Sequence, residues 1–176
     1  HLVVLSEDDV RSGVQPAGKQ SVAYHSQGCR YTRTTGIWQT VWMEAVDRAG
    51  LADVRIVPDA VAGGLAFIPR FHRANPDARF VVTVSDEGSV VATAETMCRD
   101  GVPFTVLVPD PKLWSPESPT LYDVTFEVDV GGEVVDAVSS YAAIRDVSLR
   151  DGKFFMNGTS VYLRLVLDQG FYPDGV

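Results

Sequence analysis

An all-β fold, an immunoglobulin-like β-sandwich with further segments on either side of it, is what this sequence predicts, and three observations carry the prediction. Between about residues 46 and 146, seven short apolar runs alternate with Pro- and Gly-bearing turns, the spacing expected of a sandwich of about 100 residues. Residues 122–130, Tyr-Asp-Val-Thr-Phe-Glu-Val-Asp-Val, place Tyr, Val, Phe, Val and Val on one face and Asp, Thr, Glu and Asp on the other. That strict period of two describes a strand with one buried and one wet face. Four prolines fall within residues 109–119, fixing φ and removing donors, as suits an extended crossing between two sheets.

Composition sets the outer bounds. With 176 residues, 45% of them hydrophobic and 22% charged, the chain has material for a full core. A formal net charge of −8 argues against nucleic acid or an anionic membrane as partner, since each calls for a basic face. No apolar run approaches a membrane span. Cys29 and Cys98 are far apart and in no metal or redox spacing, so they read as free, partly buried thiols, in keeping with a reducing, cytoplasmic compartment. His1, His25 and His72 are scattered. No metal site and no cofactor is expected.

Taken in order, residues 2–5 (Leu-Val-Val-Leu) read as a short buried strand before an acidic loop. Residues 31–44 read as a strand kinked at Gly36. A helix would also bring Trp38 and Trp42 to one face, but four threonines and an interior glycine disfavour it. The seven sandwich strands are expected at 53–57, 65–72, 79–85, 89–97, 103–108, 121–130 and 133–145, the last two joined by a Gly131-Gly132 hairpin turn. Tyr122 is placed to tie down a corner of the sandwich through its hydroxyl. Trp114 is expected to plug one end of the core. Residues 147–162 predict a hairpin with turns at Asp151-Gly152 and Asn157-Gly158. The apolar run 161–167 then reads as a strand buried on both sides, with Asp168 at its end.

Several of these stretches share a likeness. Residues 34–42, Thr-Thr-Gly-Ile-Trp-Gln-Thr-Val-Trp, closely resemble the strand that closes the sugar-binding jelly-roll domain of glycoside hydrolase family 2, the β-galactosidase and β-glucuronidase family. Gly18-Lys19-Gln20 extends the resemblance upstream. Residues 113–122, Leu-Trp-Ser-Pro-Glu-Ser-Pro-Thr-Leu-Tyr, are similar to the family's crossing within its immunoglobulin-like domain. Residues 154–164, Phe-x-x-Asn-Gly-x-x-Val-x-Leu-Arg, resemble its entry to the catalytic TIM barrel. Leu165 departs from the pattern, because members usually carry Gly there. The resemblance implies three parts: residues 1–45 as the C-terminal remnant of the jelly roll, 46–146 as the immunoglobulin-like sandwich, and 147–176 as the entry hairpin and truncated first strand of the barrel. His1 falling inside a strand-like run, and residues 172–176 in a turn, fit such an excised piece.

The family's retaining hydrolysis uses two carboxylates about 5 Å apart, implied here to be glutamates of later barrel strands, the acid/base following an Asn. Asn75 precedes Pro76 and Asn157 precedes Gly158, so no Asn-Glu pair occurs. Glu7, Glu44, Glu87, Glu95, Glu117, Glu127 and Glu133 fall on expected loops or solvent faces. No catalytic residue is therefore assigned. Where relatives send an acidic side chain toward the sugar, this chain has Arg30, Tyr31 and Arg33. The resemblance makes Arg33 and Asp168 the candidate substrate contacts, although Arg33 is also read as a structural ion pair between domains. The implied partners are carbohydrate in the parent enzyme and the neighbouring jelly-roll and barrel domains. Two other readings stand beside this one: a self-sufficient carbohydrate-binding sandwich using Trp38, Trp42 or Trp114, and an immunoglobulin-like interaction domain. Strand edges left open on the flanks would be mobile, pair with each other, or pair with a second copy of the chain.

Overall fold

The computed structural model describes residues 1–9 and 11–168, so the turn expected at residues 172–176 lies outside the described residues. The chain divides into two compact units, one made of His1–Glu44 and the residues from Arg164 onward, the other of Ala45–Leu163.

The larger unit holds ten strands. β1 (Leu51–Asp59), β2 (Gly64–Phe71) and β5 (Phe104–Leu107) form one antiparallel sheet in the order β1-β2-β5. The other antiparallel sheet, in the order β4-β3-β6-β7, is made of β3 (Ala78–Asp86), β4 (Ser89–Met97), β6 (Tyr122–Val130) and β7 (Glu133–Ala142). All seven expected strands are present. The one at 133–145 stops at Ala142, after which Ile144 bridges Leu113 in parallel.

Alternation decides which side chains enter the core. Tyr122, Val124, Phe126 and Val128 of β6 are buried, as are Ala78, Phe80, Val82 and Val84 of β3 beside them. Leu65, Phe67 and Phe71 meet them from the opposing sheet. The centre is aromatic: Phe126 stacks on Phe80 with ring centroids 5.7 Å apart and meets Phe67 edge-on at 5.6 Å, geometries that favour the ring quadrupoles. Pro69 is tolerated in a middle strand because β5 pairs β2 only over Gly64–Phe67, short of the missing N–H. Asp136 of β7 accepts the Leu51 N–H of β1 at 2.7 Å, tying one sheet to the other.

The Tyr122 hydroxyl accepts the Lys112 N–H at 2.7 Å, while the ring is 1% exposed. This is the corner tie expected of it. Trp114 is not the plug: it lies half-buried outside the core, with its N–H donating to the Ile144 carbonyl at 2.9 Å. Leu113 packs against the core in its place, next to the fully buried Ile144. In an extended segment neighbouring side chains point to opposite sides, so seating Leu113 turns Trp114 outward.

β8 (Val147–Arg150), β9 (Lys153–Met156) and β10 (Thr159–Ser160) form a separate three-stranded sheet. Its turns are those expected, with Asp151 and Asn157 both at positive φ ahead of a glycine, the conformation that two-residue hairpin loops require.

The strands expected before β1 and after β10 are absent. Residues 2–5 and 161–168 carry no strand, and in residues 31–44 only an isolated bridge of Tyr31 to Gln20 remains. Trp38 and Trp42 are 71% and 73% exposed. A strand exists through its ladder, and beyond the Tyr31–Gln20 bridge and one bond from the Val161 N–H to the Phe154 carbonyl at 2.9 Å these apolar runs find none among the described residues.

Candidate functional site

In the smaller unit, the segment that resembles the jelly-roll strand is held by Gly18-Lys19-Gln20. Tyr31 donates its N–H to the Lys19 carbonyl at 2.7 Å and accepts the Ser21 N–H at 2.7 Å. The Gln20 side chain accepts the Thr34 N–H at 3.0 Å and donates to Asp8 at 3.4 Å. Gln15 donates to the other Asp8 oxygen. These contacts frame a hollow of about 510 Å³ whose walls include Glu7, Asp8, Gln20, Thr34, Thr35 and the exposed Trp38. Chemically it is a polar depression, with two carboxylates in its wall, beside one aromatic face.

Arg33 is half-buried in this unit, its guanidinium 4.4 Å from the centroid of the Tyr24 ring; Arg11 lies 5.2 Å from the same ring. Together they hold the Tyr24 phenol below its ordinary range, the Arg11 hydrogen bond contributing most and that of Arg33 next. Asp168 belongs to the same unit and is exposed.

On the sandwich, two surface features contain functional groups. Trp114, Tyr141 and Arg145 line a groove of about 380 Å³ with Ile56, Pro58 and Leu121. The Arg145 guanidinium sits 4.8 Å from the Trp114 ring centroid, a cation–π contact that occupies one face of the indole. At the opposite end of the strands, Arg48 and Arg73 line a hollow of about 450 Å³ with Asp47 and Asn75. Of the glutamates, Glu127 is half-buried and the rest are exposed. Among the described residues no group of three or more His, Cys, Asp or Glu side chains gathers to hold a metal ion. Cys29 is free and exposed, and Cys98 is free and buried.

Sequence reasoning missed the side-chain role of Asn157. Its Oδ1 accepts the Asp146 N–H at 3.0 Å and its Nδ2 donates to the Trp114 carbonyl at 3.0 Å. The Asn-Gly pair signalled a turn, and nothing local signalled a partner 43 residues away.

Two antiparallel sheets packed face to face around one apolar core, with a proline-rich crossing tied by a buried tyrosine, define an immunoglobulin-like sandwich domain. Residues 69–145 match the model of the family described as glycosyl hydrolases family 2. This chain thus carries a domain of glycosyl hydrolases family 2. The β-galactosidase large subunit of Leuconostoc lactis is 32% identical over 174 residues, which take in 87% of this chain and 28% of that protein. The β-galactosidase of Thermoanaerobacter pseudethanolicus is 27% identical over 138 residues, 73% of this chain and 19% of that protein. In fold, the chain is similar to a β-glucuronidase from Ruminococcus gnavus, with a TM-score of 0.54 at 21% identity over 65% of this chain and 19% of that one. The chain therefore spans less than a third of the length of these relatives.

Proposed function

We propose that this chain is a non-catalytic central part of a retaining β-glycosidase of the β-galactosidase or β-glucuronidase type, and that its sandwich spaces and orients a sugar-binding domain against a catalytic barrel. The observation that carries this reading is the match of residues 69–145 to the family, within a chain spanning 19% to 28% of two β-galactosidases. Residues 1–45 would be the end of the jelly roll and 147–176 the barrel entry. The bond-breaking glutamates would then be supplied from outside these residues, in line with the absence of an Asn-Glu pair. The test is direct: incubated with nitrophenyl β-galactoside or β-glucuronide, this chain alone releases no nitrophenol above the buffer rate. Measurable turnover would refute the assignment.

Within this reading Arg33 and Asp168 are assigned to the rim of the sugar pocket. Arg33 carries five donors for hydroxyls or an acidic substituent. The apolar side chains exposed on the smaller unit, Leu2 (84%), Val3 (88%) and Leu5 (83%), support a second copy of the chain as their cover, and a light-scattering mass of two chains is the expected result. A stand-alone carbohydrate-binding role is favoured by one observation, the exposure of Trp38 beside a polar hollow. Quenching of tryptophan fluorescence by soluble glycans would support that role, and an unchanged spectrum would leave the spacer reading.

A further inference from the structure

The three-stranded hairpin β8–β10 pairs with no strand of the sandwich, yet it is not simply tethered by its connecting residues. Asn157 begins the β9–β10 turn at φ 49°, a left-handed conformation that Asn adopts more readily than most residues. Its backbone N–H donates to the Asp146 carbonyl at 3.0 Å, and its side-chain oxygen takes the Asp146 N–H at 3.0 Å. These two bonds close the base of the hairpin one step beyond the Val147↔Met156 pair. The Asn157 Nδ2 then reaches out of the hairpin to the Trp114 carbonyl at 3.0 Å. Trp114 is itself anchored, its N–H bonded to the Ile144 carbonyl at 2.9 Å and Leu113 bridged to Ile144, a core residue with no exposed surface. Besides the covalent link at Asp146–Val147, this amide therefore bonds the hairpin to a fixed point of the sandwich.

We propose that Asn157 is a positioning residue that locks the β8–β10 hairpin at one angle to the sandwich through its Nδ2 bond to the Trp114 carbonyl. The lock needs a side chain with an acceptor for Asp146 and a donor for Trp114 on one planar group. An aspartate keeps the first and loses the second, placing an anionic oxygen against a carbonyl. The functional consequence, a fixed angle between sandwich and barrel, rests on the spacer reading above; the lock itself does not.

The experiment measures residual dipolar couplings of backbone amides in the partially aligned, ¹⁵N-labelled full chain. In the unaltered protein one alignment tensor is expected to fit the amides of β1–β7 and of β8–β10 together. In Asn157→Asp the sandwich couplings should be unchanged, while those of β8–β10 lose the common fit and shrink toward zero. Asn157→Gly, which keeps the positive φ of the turn and removes both side-chain bonds, should behave alike. Persistence of the common tensor in both variants overturns the proposal, as does its absence in the unaltered chain. Loss of the Val147–Met156 cross-strand contacts in both variants also overturns it, by showing that Asn157 builds the hairpin instead of orienting it. No glycoside enters the measurement, so its failure leaves the spacer reading untouched, and nitrophenol release by the chain would leave the lock untouched.

Discussion

At the scale of single residues, the Tyr122 hydroxyl has a definite partner, and removing the hydroxyl exposes the cost of leaving that partner unpaired. Tyr122→Phe keeps the ring in the core and deletes the oxygen that receives the Lys112 N–H at 2.7 Å. A part-buried donor left without an acceptor costs about 1–3 kcal/mol, so the urea midpoint should fall with an unchanged slope; an unchanged midpoint would show that water replaces the hydroxyl. Cys98 is 3% exposed, and burial pushes its thiol from the ordinary 9.0 up to about 11. At pH 8 only about one Cys98 in a thousand is then a thiolate, whereas Cys29 is exposed. Ellman's reagent should therefore titrate one thiol rapidly and the second only on unfolding. The same shift has a sign for stability. Between about pH 9 and pH 11 the unfolded chain has lost a proton that the folded chain keeps, so stability is full below that window and falls as pH rises through it. Cys98→Ala should flatten that alkaline decline.

At the scale of elements, what the sequence disclosed depended on whether an element's signal is local. β6 was legible residue by residue because its buried face alternates with a wetter one, and Tyr122, Val124, Phe126 and Val128 are buried as that alternation requires. The turns at Gly131-Gly132, Asp151-Gly152 and Asn157-Gly158 were legible because only a few residues accept positive φ. Residues 2–5 and 31–44 have equally good strand composition and form none, since composition does not supply a neighbouring edge. Trp114 was misplaced for a related reason: its place on the crossing suggested the end of the core, but the residue beside it has the seat. Asn157 and the rim candidates Arg33 and Asp168 lie beyond any local pattern, since their meaning is in what they face. Gly64 shows how tightly the observed ladder is built. A Cβ there would meet the Val106 carbonyl oxygen at 2.7 Å and Leu107 Cδ2 at 3.0 Å, and the oxygen cannot retreat without opening the β2–β5 pairing. Gly64→Ala should cost about 1–3 kcal/mol, read as a lower denaturant midpoint, and an unchanged midpoint would show that β5 slides freely on β2.

For the molecule as a whole, the two units differ in what holds them. Every residue of the apolar core, from Leu65 through Ile144, belongs to Ala45–Leu163. In His1–Glu44 the one fully buried side chain among the described residues is Ser21, whose hydroxyl accepts the Ala23 N–H at 3.1 Å, and Trp38, Trp42 and Met43 are exposed. Since folding stability follows buried apolar area, the larger unit should hold nearly all of it. A chain shortened to Ala45–Leu163 should then unfold in a single calorimetric transition close to that of the full chain. For a domain of this size each kcal/mol lost lowers Tm by about 4 °C, so a difference within about 4 °C is expected. A much larger fall would mean that the flanking residues stabilise the sandwich directly, and the view of the sandwich as self-supporting would have to be given up.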